Sequence, residues 1–291
     1  MELPRGSILI YVLWILAIMS IAAMELAYYS KLSSALSINL GSHLANIEAA
    51  RGLIETTIYR MSREKAFPYS GKEIRYNLSH EKWIVKIVDE GGKLNINTLD
   101  ASTWASLLEA CGVKMGVKRD TIIDSILDWR DADSFKRLNG AEDDYYQSLP
   151  HPYHCRNGDF RTVEELALVK GVTPEIYNKL APMLSVWGNS KSLNINSASP
   201  EALEAFGISE EEAKSIVEYR KKLGPISNLE DLEGIISPAS LNRLKNIITF
   251  ADSGIYRLTA SLARPKGQFM PILTMVVKSE GNSYSVLEVN P

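Results

Sequence analysis

Hydrophobic and polar positions divide the chain into a long apolar-to-amphipathic stretch, two groups of alternating segments and a helical interval between them. No charge occurs from Ser7 to Met24, a run that includes Ile8, Leu9, Ile10, Val12, Leu13, Trp14, Ile15 and Leu16. As a helix it would be about 27 Å long, close to the hydrocarbon thickness of a bilayer. From Glu25 onward the apolar positions are Leu26, Tyr29, Leu32, Leu36, Leu40, Leu44, Ile47, Ile54, Ile58 and Met61. Steps of three, four or seven residues form one stripe on a helix, with Lys31, Asn39, Glu48, Arg51 and Glu55 between them. The pattern predicts one helix from Ser7 to about Lys65, stopped by Pro68 and Gly71.

Alternating positions then take over. Ile74, Tyr76 and Leu78 predict a strand, Ser79 to Lys82 a turn, Trp83 to Val88 a second strand, and Leu94 to Asn97 a further extended segment. Three more strands are predicted at Ile255–Leu262, Ile272–Val277 and Tyr284–Val289, with turns at Arg264–Gly267 and Ser279–Asn282. Both groups are too short to stand alone. They are expected to form one antiparallel sheet on the amphipathic part of the long helix, interrupted by a helical insertion over residues 98–252. The fold class is α+β.

The insertion carries an internal repeat. Leu94-Asn95-Ile96-Asn97-Thr98 is echoed by Leu193-Asn194-Ile195-Asn196-Ser197, each followed by a helix that ends at Gly112 or Gly207. Further on, Thr162-Val163-Glu164-Glu165-Leu166 matches Asn228-Leu229-Glu230-Asp231-Leu232. These residues resemble the helix-hairpin-helix module of competence and DNA-repair proteins, whose Gly-hydrophobic-Gly turns hold a DNA phosphate. Here the turns are Gly207-Ile208-Ser209, Gly171-Val172-Thr173 and Gly234-Ile235-Ile236, each without the second glycine. Glu210, Glu211 and Glu212 crowd the first turn and oppose a polyanion. Arg220, Lys221 and Lys222 are basic, but a solvated helix face explains them equally well. A membrane-anchored periplasmic DNA-binding protein is the alternative reading, and nucleic acid is not expected as a partner.

Composition narrows the classes. A formal charge of −3 and a pI near 5.9 give no global attraction to nucleic acid or anionic lipid. The two cysteines, Cys111 and Cys155, can close one loop in an oxidising compartment, worth about 3–4 kcal/mol in the chain-entropy model. Two unpaired buried thiols are the alternative. The four histidines fall in the long helix, a turn and a Pro-rich loop, and no nucleophile elbow or phosphate-binding Gly loop is present. A non-enzymatic protein is expected.

Ahead of the apolar run stands Arg5-Gly6-Ser7. A cleaved secretory signal or a plain signal anchor is the simpler reading of such a run. The leader is thin for either, and the helical pattern continues past any cleavage site. Arg5-Gly6-Ser7 resembles the site where prepilin peptidase cuts after glycine, and an apolar spine that becomes amphipathic resembles type IV pilin-like proteins. The resemblance implies that Gly6 ends the leader and that Ser7 becomes a methylated N-terminus. Most members carry a glutamate at the fifth mature position, where this chain has Tyr11. That departure resembles the K-type minor pseudopilin of type II secretion, which lacks the glutamate and sits at the tip of the fibre. The implied layout is a leader at 1–6, a spine at 7–65 with a membrane span at 7–24, a pilin-like sheet from 66–97 and 253–291, and the insertion between. Implied partners are I- and J-type minor pseudopilins, other pseudopilins, prepilin peptidase and the inner-membrane assembly platform. The implied location is the bacterial inner membrane, single pass, with the globular part periplasmic.

One stretch is chemically suggestive. Asp128, Asp131, Asp133, Asn139, Glu142, Asp143 and Asp144 fall within 17 residues, with Arg130, Lys136 and Arg137 as the nearby cations. Such carboxylates either splay into water or share a cation. Calcium takes 6–8 oxygen ligands, although the spacing is not that of an EF-hand. Similarity to K-type pseudopilins, whose inserted domain binds calcium, favours the metal, with Asp131, Asp133, Glu142, Asp143 and Asp144 as candidate ligands and Asn139 as a further one.

Overall fold

The computed structural model describes residues 5–63, 71, 73–188, 192–264, 267–281 and 283–290. The expected helix end at Lys65, its stop at Pro68, leader residues 1–4 and the turn residues Pro265, Lys266 and Asn282 lie outside them. Helix α1 runs unbroken from Arg5 to Arg63. Apolar side chains from Leu9 to Leu44 are exposed all round it, so this part carries its hydrophobic surface without a partner among the described residues. Packing on the head begins only at Ile47. Ala50, Leu53, Ile54, Thr57 and Met61 are then buried at helical spacing. The Thr57 hydroxyl bonds the Leu53 carbonyl and the Tyr76 hydroxyl, at 2.8 Å each, tying helix to sheet.

The strands in chain order are β1 (Glu73–Leu78), β2 (Glu81–Asp89), β3 (Leu94–Asn95), β4 (Leu184–Ser185), β5 (Leu193–Asn194), β6 (Ile248–Thr249), β7 (Ile255–Ala263), β8 (Phe269–Glu280) and β9 (Ser283–Asn290). Five of them form one antiparallel sheet in the order β1-β2-β7-β8-β9. The two strand groups therefore join across the insertion, through β2 against β7. Trp83, Val85 and Ile87 of β2 stand opposite Leu262, Ala260 and Leu258 of β7, and all six are buried in the cluster that receives α1. Burying each large apolar side chain contributes about 1.5–3 kcal/mol, which is what holds helix and sheet together. The β1–β2 turn is shorter than predicted. Ser79 and His80 both have positive φ, 51° and 67°, so two residues suffice and β2 starts at Glu81.

The segment Leu94–Asn97 does not join this sheet. After Asp89 the chain leaves through a 3-10 turn at Glu90–Gly92, and β3 pairs in parallel with β4 instead. Only two residues are extended, because the Asn95 side chain accepts the Asn97 amide (2.9 Å) and bends the backbone. The first part of the sheet thus ends at Asp89, and the insertion begins at Glu90.

The insertion contains α2 (Ala101–Ala110), α3 (Val117–Arg130), α4 (Asp143–Gln147), α5 (Pro174–Leu180), α6 (Pro200–Glu204), α7 (Glu210–Leu223) and α8 (Pro238–Leu244). Its two halves repeat bond for bond. Asn97 exchanges side-chain bonds with the backbone of Phe160, as Asn196 does with Ile226. Arg130 donates to the carbonyls of Ile96 and Leu99, as Arg220 does to those of Ile195 and Ala198. A parallel β3–β4 or β5–β6 pair closes each half. The basic cluster is thus not a uniform solvated face: Lys221 and Lys222 are exposed, while the Arg220 guanidinium is committed to backbone carbonyls.

Sheet and insertion meet at a polar joint. Asp89 ends β2 and Glu90 opens the 3-10 turn, and both are fully buried. Asp89 accepts from Asn194 (2.6 Å), Ser197 (3.2 Å) and the Ser253 amide (3.1 Å), while Glu90 accepts from Lys93 (2.8 Å), Arg257 (2.7 Å) and Ser185. Each carboxylate therefore reaches strand β7 or its lead-in on one side and the insertion on the other.

Candidate metal centre

Where the repeat equates Arg130 with Arg220 and Phe160 with Ile226, the two intervals differ greatly. Thirty residues separate the first pair and six the second, so the acidic stretch is an excursion added to one half. It rests on an aromatic wall. Trp129 meets Tyr146 edge-on at 5.0 Å and stacks on Phe160 at 6.3 Å, and Tyr146 lies 5.4 Å from Tyr153. Lys170 ties the excursion down, its Nζ donating to the Gly140 carbonyl (3.0 Å) and its amide to the Tyr146 hydroxyl (3.3 Å). Gly140 packs directly on Asp128, leaving no room for a side chain.

These constraints bring Asp131, Asp133 and Glu142 together. One carboxylate oxygen from each lies within 4.8 Å of the others. Glu142, at the N-terminal boundary of α4, is only 4% exposed, and neither of its carboxylate oxygens has a hydrogen-bond partner among the described residues. Asp131 Oδ1 is likewise buried and unpartnered. Burial, then the charges of Asp128, Asp131 and Asp133, push Glu142 up to about 7 against the opposing pull of Arg137. A buried carboxylate without donors is costly, and a cation shared with its neighbours offsets that cost. The residues present therefore fit a hard divalent ion.

Asp143 and Asp144 take other roles. Asp143 accepts the Cys155 amide (2.7 Å) and faces the His154 ring (3.0 Å), which hold its carboxyl below the ordinary range. Asp144 accepts the Tyr145 amide. Neither belongs to the three-carboxylate group, because a helical turn starting at Asp143 carries them off it. Asn139 bonds Asp124 through both its amide and its side chain. Asp128, part of the acidic stretch but not a candidate ligand, is fully buried under Arg137, and Lys170, thirty residues beyond the Gly140 carbonyl it holds, was not singled out. The doublet of buried acid and arginine was visible as charge; the Lys170 contact had no local signal.

Cys111 and Cys155 stand as separate buried thiols. Cys111 ends α2 beside Lys179, Glu201 and Glu204, whereas Cys155 lies in the excursion beside Glu142 and Asp143. These different surroundings keep them apart, and burial pushes each thiol up to about 11. Gly6 and Ser7 lie in the first turn of α1.

The helix-hairpin-helix turns are internally occupied. Glu212 accepts from the Ser237 amide (2.7 Å), the Ser240 hydroxyl (2.7 Å) and the Ser209 amide (3.3 Å). Burial opposes its charge, but these donors outweigh burial and pull it down to about 2. A carboxylate thus sits on helix-start amides that would otherwise be open to a phosphate.

Two family models match the chain in succession. Type II secretion system (T2SS), protein K, covers residues 86–189, and the helix-hairpin-helix motif covers residues 188–249. The first match contains the whole acidic excursion. Residues 86–189 thus carry the type II secretion system protein K domain, and the chain is similar to curated proteins of that name. It is 29% identical over 197 residues to the type II secretion system protein K of Pectobacterium carotovorum subsp. carotovorum, covering 62% of this chain and 60% of that one. With the Pseudomonas aeruginosa type II secretion system protein K the identity is 32% over 151 residues, 48% of this chain and 45% of the relative. The matched region therefore spans about half of these relatives' length. The fold is shared with a chain of the GspK-GspI-GspJ complex from the enterotoxigenic Escherichia coli type 2 secretion system. The TM-score is 0.67 at 16% identity, covering 87% of this chain and 96% of that chain.

Proposed function

We propose that this protein is a minor pseudopilin placed at the tip of the type II secretion pseudopilus, where it starts assembly and helps push folded exoproteins outward. The observation that carries the reading is the joint architecture: a long apolar helix, exposed along most of its length, fused to a sheet that bears a bulky inserted domain. A chain that exposes apolar residues from Leu9 to Leu44 must bury them in lipid or among other helices. Tyr11, in place of the glutamate of most pilin-like chains, and the bulk of the insertion both favour an end position over repeated stacking. The solved relative was crystallised with GspI and GspJ, which supports I- and J-type minor pseudopilins as partners here. Under this reading prepilin peptidase cuts between Gly6 and Ser7, α1 anchors the chain in the inner membrane, and the head works in the periplasm as a structural part rather than an enzyme. The internal use of Glu212 and Arg220 argues against the DNA-binding alternative.

Co-expression tests the partnership. The head is expected to co-purify with I- and J-type heads in calcium. Separate elution of all three would overturn the tip assignment.

Calcium is the proposed ion of Asp131, Asp133 and Glu142, supplying the direct partner that the Glu142 oxygens lack among the described residues. It acts as a structural cation that ties the end of α3 to the start of α4. An ion present at about 100 times its Kd contributes about 2.7 kcal/mol, or roughly 5–10 °C in Tm for a domain of this size. Chelator is expected to lower Tm by that order, and Asp133→Ala to erase the difference between chelated and calcium-loaded protein. An unchanged melting curve in chelator would remove the metal from the reading.

A further inference from the structure

The acidic excursion holds a cation of its own. Arg137 places one guanidinium nitrogen 2.6 Å from Asp128 Oδ1 and 2.5 Å from Asp131 Oδ2. Its backbone amide also donates to Asp128, at 3.2 Å. Of the other nearby cations, Arg130 is committed to the carbonyls of Ile96 and Leu99 and Lys170 to that of Gly140, while Lys136 is exposed. Asp131 is therefore divided. Its Oδ2 belongs to the arginine, while its buried Oδ1 is left unpartnered toward Asp133 and Glu142.

We propose that Arg137 is a built-in counter-ion that holds this loop together without metal and, by keeping one oxygen and one positive charge at the site, weakens its affinity for calcium. The proposal rests on the calcium reading above. Two physical effects act in the same direction. A fixed positive charge on a ligand repels a divalent ion at close range. An arginine on Oδ2 also denies the ion a bidentate carboxylate, one of the modes that calcium uses. Without metal the balance reverses. Asp128, with its side chain fully buried, and Asp131 would then repel each other with only the Arg137 guanidinium between them. The arginine so trades affinity for a loop that keeps its shape when calcium is scarce. Its side chain is 39% exposed, which gives the guanidinium a route toward solvent when the ion arrives.

The test is calorimetric titration of calcium chloride into the full-length chain in detergent micelles, with melting curves in chelator alongside. Arg137→Gln is expected to bind calcium about tenfold more tightly than wild type, while melting lower than wild type in chelator. The retained backbone bond from residue 137 to Asp128 keeps the loop close to its native course in that variant. Arg137→Lys keeps the charge and is expected to stay within about threefold of wild-type affinity. Equal or weaker binding by Arg137→Gln, with wild type binding normally, would overturn the counter-ion role alone. No calcium binding by wild type or by either variant would instead overturn the calcium reading on which it rests.

Discussion

Gly92→Ala is expected to cost at least about 3 kcal/mol and to loosen the inserted domain from the sheet. A methyl group at Gly92 would lie 2.4 Å from the Ser197 carbonyl carbon and 2.6 Å from its oxygen. Those are backbone atoms of the turn that follows β5, so no side-chain rotation relieves the clash. Relief requires the second half of the insertion to move off the joint. Doing so strains the bonds from Asn194 and Ser197 to the buried Asp89 carboxylate, which would then keep only its Ser253 donors. The expected signs are a fall in Tm and faster proteolysis near the joint, with the sheet still docked on α1. Gly52→Ala is the control, since nothing lies within 4 Å of a methyl there and alanine favours a helix interior. A Gly92→Ala protein that melts like wild type would show that the joint is not rigid.

Glu142→Gln should raise stability without calcium and lower it with calcium. The folded carboxyl is pushed up to about 7 by burial and by the acids around it, against an ordinary value of 4.5. Below about 4.5 it is protonated in folded and unfolded chains alike and costs nothing. As pH rises toward 7 the unfolded chain releases its proton first, so metal-free stability falls through this window and stays low above it. The loss is on the order of 2 kcal/mol once water at the loop is allowed for. Glutamine removes that charge, and its amide can donate to the unpartnered Asp131 Oδ1. In chelator at pH 8 the variant is therefore expected to melt above wild type. With excess calcium the order reverses, because wild type keeps a ligand that the variant has lost. Melting curves that keep one order in both conditions would show that Glu142 does not bind the ion.

Much of this was legible in the chain. The continuous helix, the strands at either end of the insertion and their union in one sheet follow from local periodicity, which needs no partner to be read. The repeat was legible because the same asparagine-isoleucine-asparagine turn is written twice, at Leu94–Asn97 and Leu193–Asn196. The acidic stretch announced itself as charge.

What tertiary structure decided is where long-range contacts choose between local options. Leu94–Asn95 has strand propensity, but the 3-10 turn at Glu90–Gly92 aims it at Leu184–Ser185 rather than at β2. Leu26 through Leu44 share the stripe of Ile54 and Met61, yet only the latter reach the sheet, because the head covers just the last turns of α1. Cys111 and Cys155 had the composition of a pair and were given different neighbours. Among the candidate ligands, the chain supplied five acids in one charged stretch. The helical start at Asp143, the Gly140–Asp128 contact and the Lys170 tether then selected Asp131, Asp133 and Glu142. Sequence sets which charges are near one another along the chain; which of them lose water is set by packing, and burial of Glu142 and of Asp131 Oδ1 beside the exposed Asp133 is what turns a cluster of acids into a candidate metal centre.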